Sequence, residues 1–183
     1  MKTLNSAILT ALVLVSGTAF SASSQAAMVY KTEMSAGSTA CRGATPAYNN
    51  MLLTKSDGRW NSTVNPSTVL CGGTSIPMNN DGDVVVFEIG LTNVNNPGGA
   101  AVVVNCTLTD GLGVAGGTST VLYAKQQTIQ PGQAAYLDWD GNDTGGTRWD
   151  DGAHFIYPTV SCTLPPKAQI SYTATISQED NGL

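Results

Sequence analysis

The residues most able to do chemistry lie between positions 138 and 151. The stretch Leu137-Asp138-Trp139-Asp140-Gly141-Asn142-Asp143-Thr144-Gly145-Gly146-Thr147-Arg148-Trp149-Asp150-Asp151-Gly152 carries five of the thirteen acidic residues and two of the three tryptophans. Asp138, Asp140 and Asn142 stand at the 1, 3 and 5 spacing with which a loop wraps oxygen ligands around a hard cation such as Ca²⁺, and Asp143 adds a further carboxylate. The EF-hand form of that loop fails. Asp143 replaces the glycine needed at position 6, and Trp149 stands where a bidentate Glu belongs. The plainer reading, and the leading one, is a solvated hairpin loop whose Asp and Asn side chains bond their own backbone. A non-EF calcium loop is the alternative.

The same segment offers aromatic faces beside carboxylates and amides, the combination with which a sandwich domain stacks a sugar ring and bonds its hydroxyls. Trp139 and Trp149 are the candidates, with Tyr136 and Tyr157 close in sequence. Alternation places Trp139 on one strand face with Ala135 and Leu137, which points it toward a core and leaves Trp149 as the better platform. Trp60, in Arg59-Trp60-Asn61-Ser62, lies between Cys41 and Cys71 and is expected to pack on a disulfide there.

Catalytic parts are scarce. His154 is the single histidine, no Gly-x-Ser-x-Gly surrounds a serine, and no His-Glu-x-x-His occurs. Asp150 and Asp151 beside His154 are ordinary company in an acidic loop. Glu88 falls on the polar face of a strand. The expectation is a protein that is not an enzyme and has no cofactor, Ca²⁺ being the one possible exception.

Composition narrows the partners. Only 11% of the 183 residues are charged, 42% are apolar, and the formal net charge is −5. Disordered chains combine low hydrophobicity with high net charge, so this one should fold. Eight Lys and Arg scattered along an acidic chain make no basic stripe for nucleic acid. Asn61-Ser62-Thr63 and Asn105-Cys106-Thr107 match the glycosylation sequon, which carries no weight in a chain whose leader looks bacterial.

That leader occupies residues 1–26. Lys2 supplies the positive start, Ile8 to Val15 the short apolar run, and Ser24-Gln25-Ala26 a small-x-small cleavage site. About eight apolar residues cannot span a bilayer of about 30 Å. Export to the periplasm or the exterior is therefore expected, leaving residues 27–183 as a single domain with no transmembrane segment. Loss of Lys2 with the leader makes the chain one unit more acidic.

Four cysteines in an oxidising compartment read as two disulfides, with no Cys-x-x-Cys or Cys/His cluster competing. Three pairings are possible. Val104-Asn105-Cys106-Thr107-Leu108 and Val160-Ser161-Cys162-Thr163-Leu164 echo one another, which favours Cys106–Cys162 meeting across a core and leaves Cys41–Cys71. The loop-entropy argument assigns each bridge roughly 3.5–4 kcal/mol.

The elements that must position these groups alternate with period two. Over Asp83–Val94 the residues Val85, Phe87, Ile89 and Leu91 share a face, opposite Val84, Val86, Glu88 and Thr92. Over Ala100–Thr109, Val102, Val104, Cys106 and Leu108 point inward. Thr118–Ile129 and Ala134–Trp139 flank Gln130-Pro131-Gly132 and read as a hairpin. Phe155–Leu164, with Pro158 marking an edge or bulge, and Ile170–Ile176, with Ile170, Tyr172, Ala174 and Ile176 on one face, complete the later set. Met28–Met34 and Thr68–Cys71 alternate more weakly. The fold class is all-β: a single antiparallel β-sandwich, immunoglobulin-like or jelly-roll-like.

The spacing of motifs resembles a group of secreted bacterial two-disulfide β-sandwich proteins of about this length. The shared features here are Cys41, Gly58-Arg59-Trp60-Asn61-Ser62, Val69-Leu70-Cys71, Cys106-Thr107-Leu108, Gln130-Pro131-Gly132, Cys162-Thr163-Leu164-Pro165 and Ser171-Tyr172. Relatives often carry proline after the second cysteine, where this chain has Gly72-Gly73. The resemblance implies the fold and no activity. Three readings of function follow. The first is an exported, non-enzymatic binding or structural module at the surface or in the periplasm. The second is a fibre or matrix subunit that self-associates by strand addition through Met28–Met34. The third is a lectin-like calcium or glycan binder using the 138–151 loop.

Overall fold

The computed structural model describes residues 28–72, 83–95, 98–110, 121–144, 155 and 158–180. The expected leader at residues 1–26 and Trp149, Asp150, Asp151, His154 and Tyr157 lie outside them. Eleven described strands form two antiparallel sheets packed face to face, as an all-β sandwich requires. They are β1 (Met28–Ala36), β2 (Cys41–Gly43), β3 (Leu52–Lys55), β4 (Gly58–Asn61), β5 (Ser67–Gly72), β6 (Asp83–Asn93), β7 (Val102–Asp110), β8 (Val121–Ile129), β9 (Ala134–Trp139), β10 (Thr159–Leu164) and β11 (Ala168–Asp180). One sheet runs β3-β4-β11-β6-β9, with β1 also paired to β11; the other runs β2-β5-β10-β7-β8. Helix is confined among the described residues to single turns such as Pro46–Asn49, capped by the Thr45 hydroxyl accepting from the Tyr48 N–H at 3.3 Å.

Period-two alternation fills the space between the sheets. Phe87, Ile89, Leu91, Leu137, Trp139 and Ile170 come from the six-stranded sheet; Val69, Val104, Leu108, Ile129, Val160 and Leu164 meet them from the five-stranded one. In β7 the expected inward residues Val102, Val104, Cys106 and Leu108 are all buried. Both disulfides form in the expected pairing, Cys41–Cys71 and Cys106–Cys162. Neither crosses the core, however. Each joins directly opposed residues of neighbouring strands in the five-stranded sheet, β2 with β5 and β7 with β10, at a Cα–Cα distance of 4.1 Å. Two inward cysteines in register on adjacent strands already stand within bridging distance, so no reach across the interior is needed.

Two further expectations are corrected. Gln130-Pro131-Gly132 does not close a hairpin. β8 pairs with β7 and β9 with β6, so the turn carries the chain from one sheet to the other. Buried Asn93 holds that corner: its amide donates to the Ala100 and Ile129 carbonyls at 3.0 and 3.1 Å, and its own carbonyl accepts from Gly132 N–H at 2.9 Å. Gly132 sits at φ 71°, in the left-handed region. Asn61 clamps the opposite corner. Its amide donates to the Leu164 and Asn65 carbonyls, both at 2.8 Å, while its side-chain oxygen accepts from the Thr63 N–H and hydroxyl. Every hydrogen-bonding position of that buried amide is taken, which removes the first sequon as a glycan acceptor.

The second correction concerns faces. Register shifts leave Val85 unpaired in β6 and Ser171 unpaired in β11, two β-bulges in the same strand pair. Past the first, Val84 rather than Val85 joins the core cluster. Past the second, the β11 face reverses: Thr173, Thr175 and Ser177 turn inward opposite Ile89, Phe87 and Val84, and Tyr172, Ala174 and Ile176 turn outward. Pro158 lies just before β10, not within it, because β10 is flanked on both edges and could not spare a donor.

Candidate functional site

The acidic segment is half strand and half tight turn. Asp138 belongs to β9, directly opposite Glu88 on the outer face of the six-stranded sheet. Asp140 follows the strand, and Gly141–Thr144 forms a 3₁₀ turn. Asp143 reaches back along that turn: one carboxylate oxygen accepts from the Asp140 N–H at 2.9 Å and the other pairs with the Lys125 ammonium at 2.7 Å. The same ammonium donates to the Asp138 carbonyl at 2.6 Å. The fold therefore brings a cation of its own, from β8, to one of the four candidate side chains, Asp143, and to the main-chain carbonyl of Asp138. Asn142 lies within the turn, with its side chain outside the described residues. Among the described residues no group of three or more His, Cys, Asp or Glu side chains converges as metal ligands would.

Trp139 is fully buried. Its indole N–H donates to the Tyr123 carbonyl at 3.0 Å and its ring packs 6.3 Å from Phe87, so it has no free face for a sugar. Trp60 does not lie in the sheet that holds the disulfides. It sits on β4 between two lysines, with the Lys55 and Lys167 ammonium groups 4.0 and 5.2 Å from its ring centre.

A different set of side chains comes together on the outer face of the six-stranded sheet. The register runs Tyr172–Gly90–Tyr136 across β11, β6 and β9. Gly90 has no side chain, and the Tyr172 ring lies over it so closely that a Cβ there would collide with three ring carbons. The ring leans because the Ser171 bulge re-aims it, and its hydroxyl donates to the Glu88 carboxylate. Partial burial, and then that bond to an anion, push the Tyr172 phenol up to about 12. On the next strand Tyr136 stands 60% exposed. Between the rings lies a cleft of about 230 Å³ lined by Gly90, Thr92, Ala135, Tyr136, Ser171 and Tyr172. The Thr92 and Ser171 hydroxyls bond each other at 2.9 Å in its wall.

This arrangement offers aromatic surface and two hydroxyls able to donate or accept, while the Glu88 and Asp138 pair lies two residues further along the ladder, outside the cleft lining. The Thr92 and Ser171 hydroxyls are bonded to each other, and the Tyr172 hydroxyl to Glu88. At about 230 Å³ the cleft is smaller than the roughly 300–1,000 Å³ that holds a drug-sized ligand, so it suits a single ring or a short stretch of a polymer. Sequence reasoning missed it because the alternation of β11 assigns Tyr172 to the core. One signal was available: a glycine inside a strand, here Gly90, marks a bulge or a close approach.

Comparison of the chain with protein-family models, with curated proteins and with solved structures gives no match.

Proposed function

We propose that this protein is an exported binding module that acts without catalysis, and that it takes a sugar ring in the cleft between Tyr136 and Tyr172. The two disulfides support export, since such bonds persist in oxidising compartments, and the leader at residues 1–26 supports it independently. One observation carries the binding reading. A glycine is held under a leaning tyrosine while a second tyrosine stands exposed across the cleft, with the Thr92 and Ser171 hydroxyls in its wall. Apolar C–H faces of a pyranose would stack on Tyr136, and its hydroxyls would bond Thr92 and Ser171.

Saturation-transfer NMR with a panel of neutral and amino hexoses and their oligomers tests it. The expected result is transfer to at least one sugar that disappears in Tyr136→Ala, a substitution at an exposed site that leaves the melting curve in place. No transfer from any sugar, or transfer undiminished in Tyr136→Ala, would overturn the reading.

A further inference from the structure

β1 pairs with β11 along one edge over all nine residues, and among the described residues no strand pairs its other edge. Long free edges invite a further strand, and proteins usually blunt them with proline, bulges, brevity or charged side chains. β1 has no proline or bulge and is not short. Its charges are one Lys and one Glu, Lys31 and Glu33, which block a like-charged edge and match an opposite one. It leaves Val29, Tyr30 and Met34 41%, 65% and 63% exposed.

The order of residues along that edge, Met28-Val29-Tyr30-Lys31-Thr32-Glu33-Met34-Ser35-Ala36, is self-complementary about its centre. We infer that β1 pairs antiparallel with β1 of a second copy of this chain, on a two-fold axis passing through Thr32. In that register all nine residues overlap. Lys31 faces the partner's Glu33 and Glu33 faces the partner's Lys31, while Tyr30 and Met34 meet the partner's Met34 and Tyr30 on the opposite face. Opposite charges and an aromatic–thioether pair directly across a ladder are each favourable. Lys31 and Glu33 already lie 3.6 Å apart within one copy, so the pair of strands encloses four charges of alternating sign.

The competing registers are penalised. A slip by one residue turns each side chain to the wrong face. Moving the axis to Lys31 sets lysine against lysine, and moving it to Glu33 sets glutamate against glutamate. A two-fold contact uses the same edge on both copies and closes on itself, so β1 makes a dimer and does not propagate a fibre. The interface is a single ladder with a modest apolar contribution, at the small, concentration-dependent end of the range. This inference stands apart from the tyrosine cleft and does not depend on it.

Charge exchange and cross-linking test it, with sedimentation velocity over a concentration series of the chain lacking residues 1–26. Wild type should pass from monomer to dimer as concentration rises. Glu33→Lys alone and Lys31→Glu alone should each stay monomeric at concentrations where wild type is mostly dimer. An equimolar mixture of the two should dimerise, and so should the double exchange Lys31→Glu/Glu33→Lys. All four native cysteines are in disulfides, so a new thiol reports cleanly. Thr32→Cys should oxidise to a covalent dimer, whereas Tyr30→Cys, set opposite Met34, should not. Wild type that is monomeric throughout, a dimer indifferent to Glu33→Lys, or equal cross-linking at positions 30 and 32 would each overturn the inference.

Discussion

The two sheets of this sandwich solve different problems. The five-stranded sheet holds both disulfides, each between neighbouring strands, and in β7, β5 and β10 its burial alternates without interruption. The six-stranded sheet has no covalent cross-link. It carries both β-bulges, a glycine in mid-strand, an inner face of Thr173, Thr175 and Ser177 along part of β11, and the tyrosine cleft. Regular alternation plus disulfides gives a rigid support. Departures from alternation re-aim side chains, and two of them, the Ser171 bulge and Gly90, lie at the candidate site.

The largest expected effect falls on the stapled sheet. Opening Cys106–Cys162 by double substitution to alanine releases a 56-residue separation and should destabilise by about 4 kcal/mol; Cys41–Cys71, at a separation of 30, should cost slightly less. Denaturant unfolding measures both, and near-zero loss at either would break the assignment of rigidity to that sheet. Next comes a contrast between outward positions of the two sheets. Gly90→Ala pushes a methyl group into the Tyr172 ring and should destabilise by about 1–3 kcal/mol. Val103→Ala, 44% exposed on β7, should stay within about 0.5 kcal/mol. Equal values would erase the distinction.

Tyr172→Phe is milder in stability and sharper in pH. The phenol rises from 10.0 to about 12 on folding, so the folded state favours the protonated form. Its contribution is complete below pH 10 and is lost as pH climbs through about 12. In Tyr172→Phe that alkaline loss should vanish, and the most alkaline step in the phenolate absorbance titration should go with it. An unchanged alkaline limb would remove Tyr172 from the account. The smallest effect is expected at the acidic turn, where Lys125 already supplies a cation. Thermal unfolding of the wild type in Ca²⁺ and in EDTA should coincide. A calcium-dependent rise in Tm that Asp138→Ala abolishes would reinstate a metal site there.

Much of the fold was legible because apolar alternation is a local signal that burial enforces. Most of the longer strands and the inward set of β7 came from it, whereas the short β2, β3 and β4, of three or four residues each, are too brief to show a period and went unread. The V-x-C-T-L echo worked because both cysteines occupy equivalent inward positions on strands that became neighbours. What failed was non-local or depended on one extra residue. Gln130-Pro131-Gly132 specifies a reversal, but which strand β9 joins is decided by Asn93 and the opposing core. The bulges at Val85 and Ser171 each invert every face beyond them, and nothing in the alternation of Ile170, Tyr172, Ala174 and Ile176 announces the change. The cleft was hidden for that reason. Trp139 was legible as a core residue from its company, Ala135 and Leu137, and its burial bears that out.

The place of β11 in the sheet has a consequence for the order of events at synthesis. This late strand, Ala168–Asp180, is the common partner of β1, β4 and β6. Until it has left the ribosome those three strands have no shared template, and the pairing of β1 with β11 spans most of the chain. Contacts of such long range form slowly. The six-stranded sheet is therefore completed only after β11 has been made, whereas the five-stranded sheet, which does not include β11, can pair its strands without it.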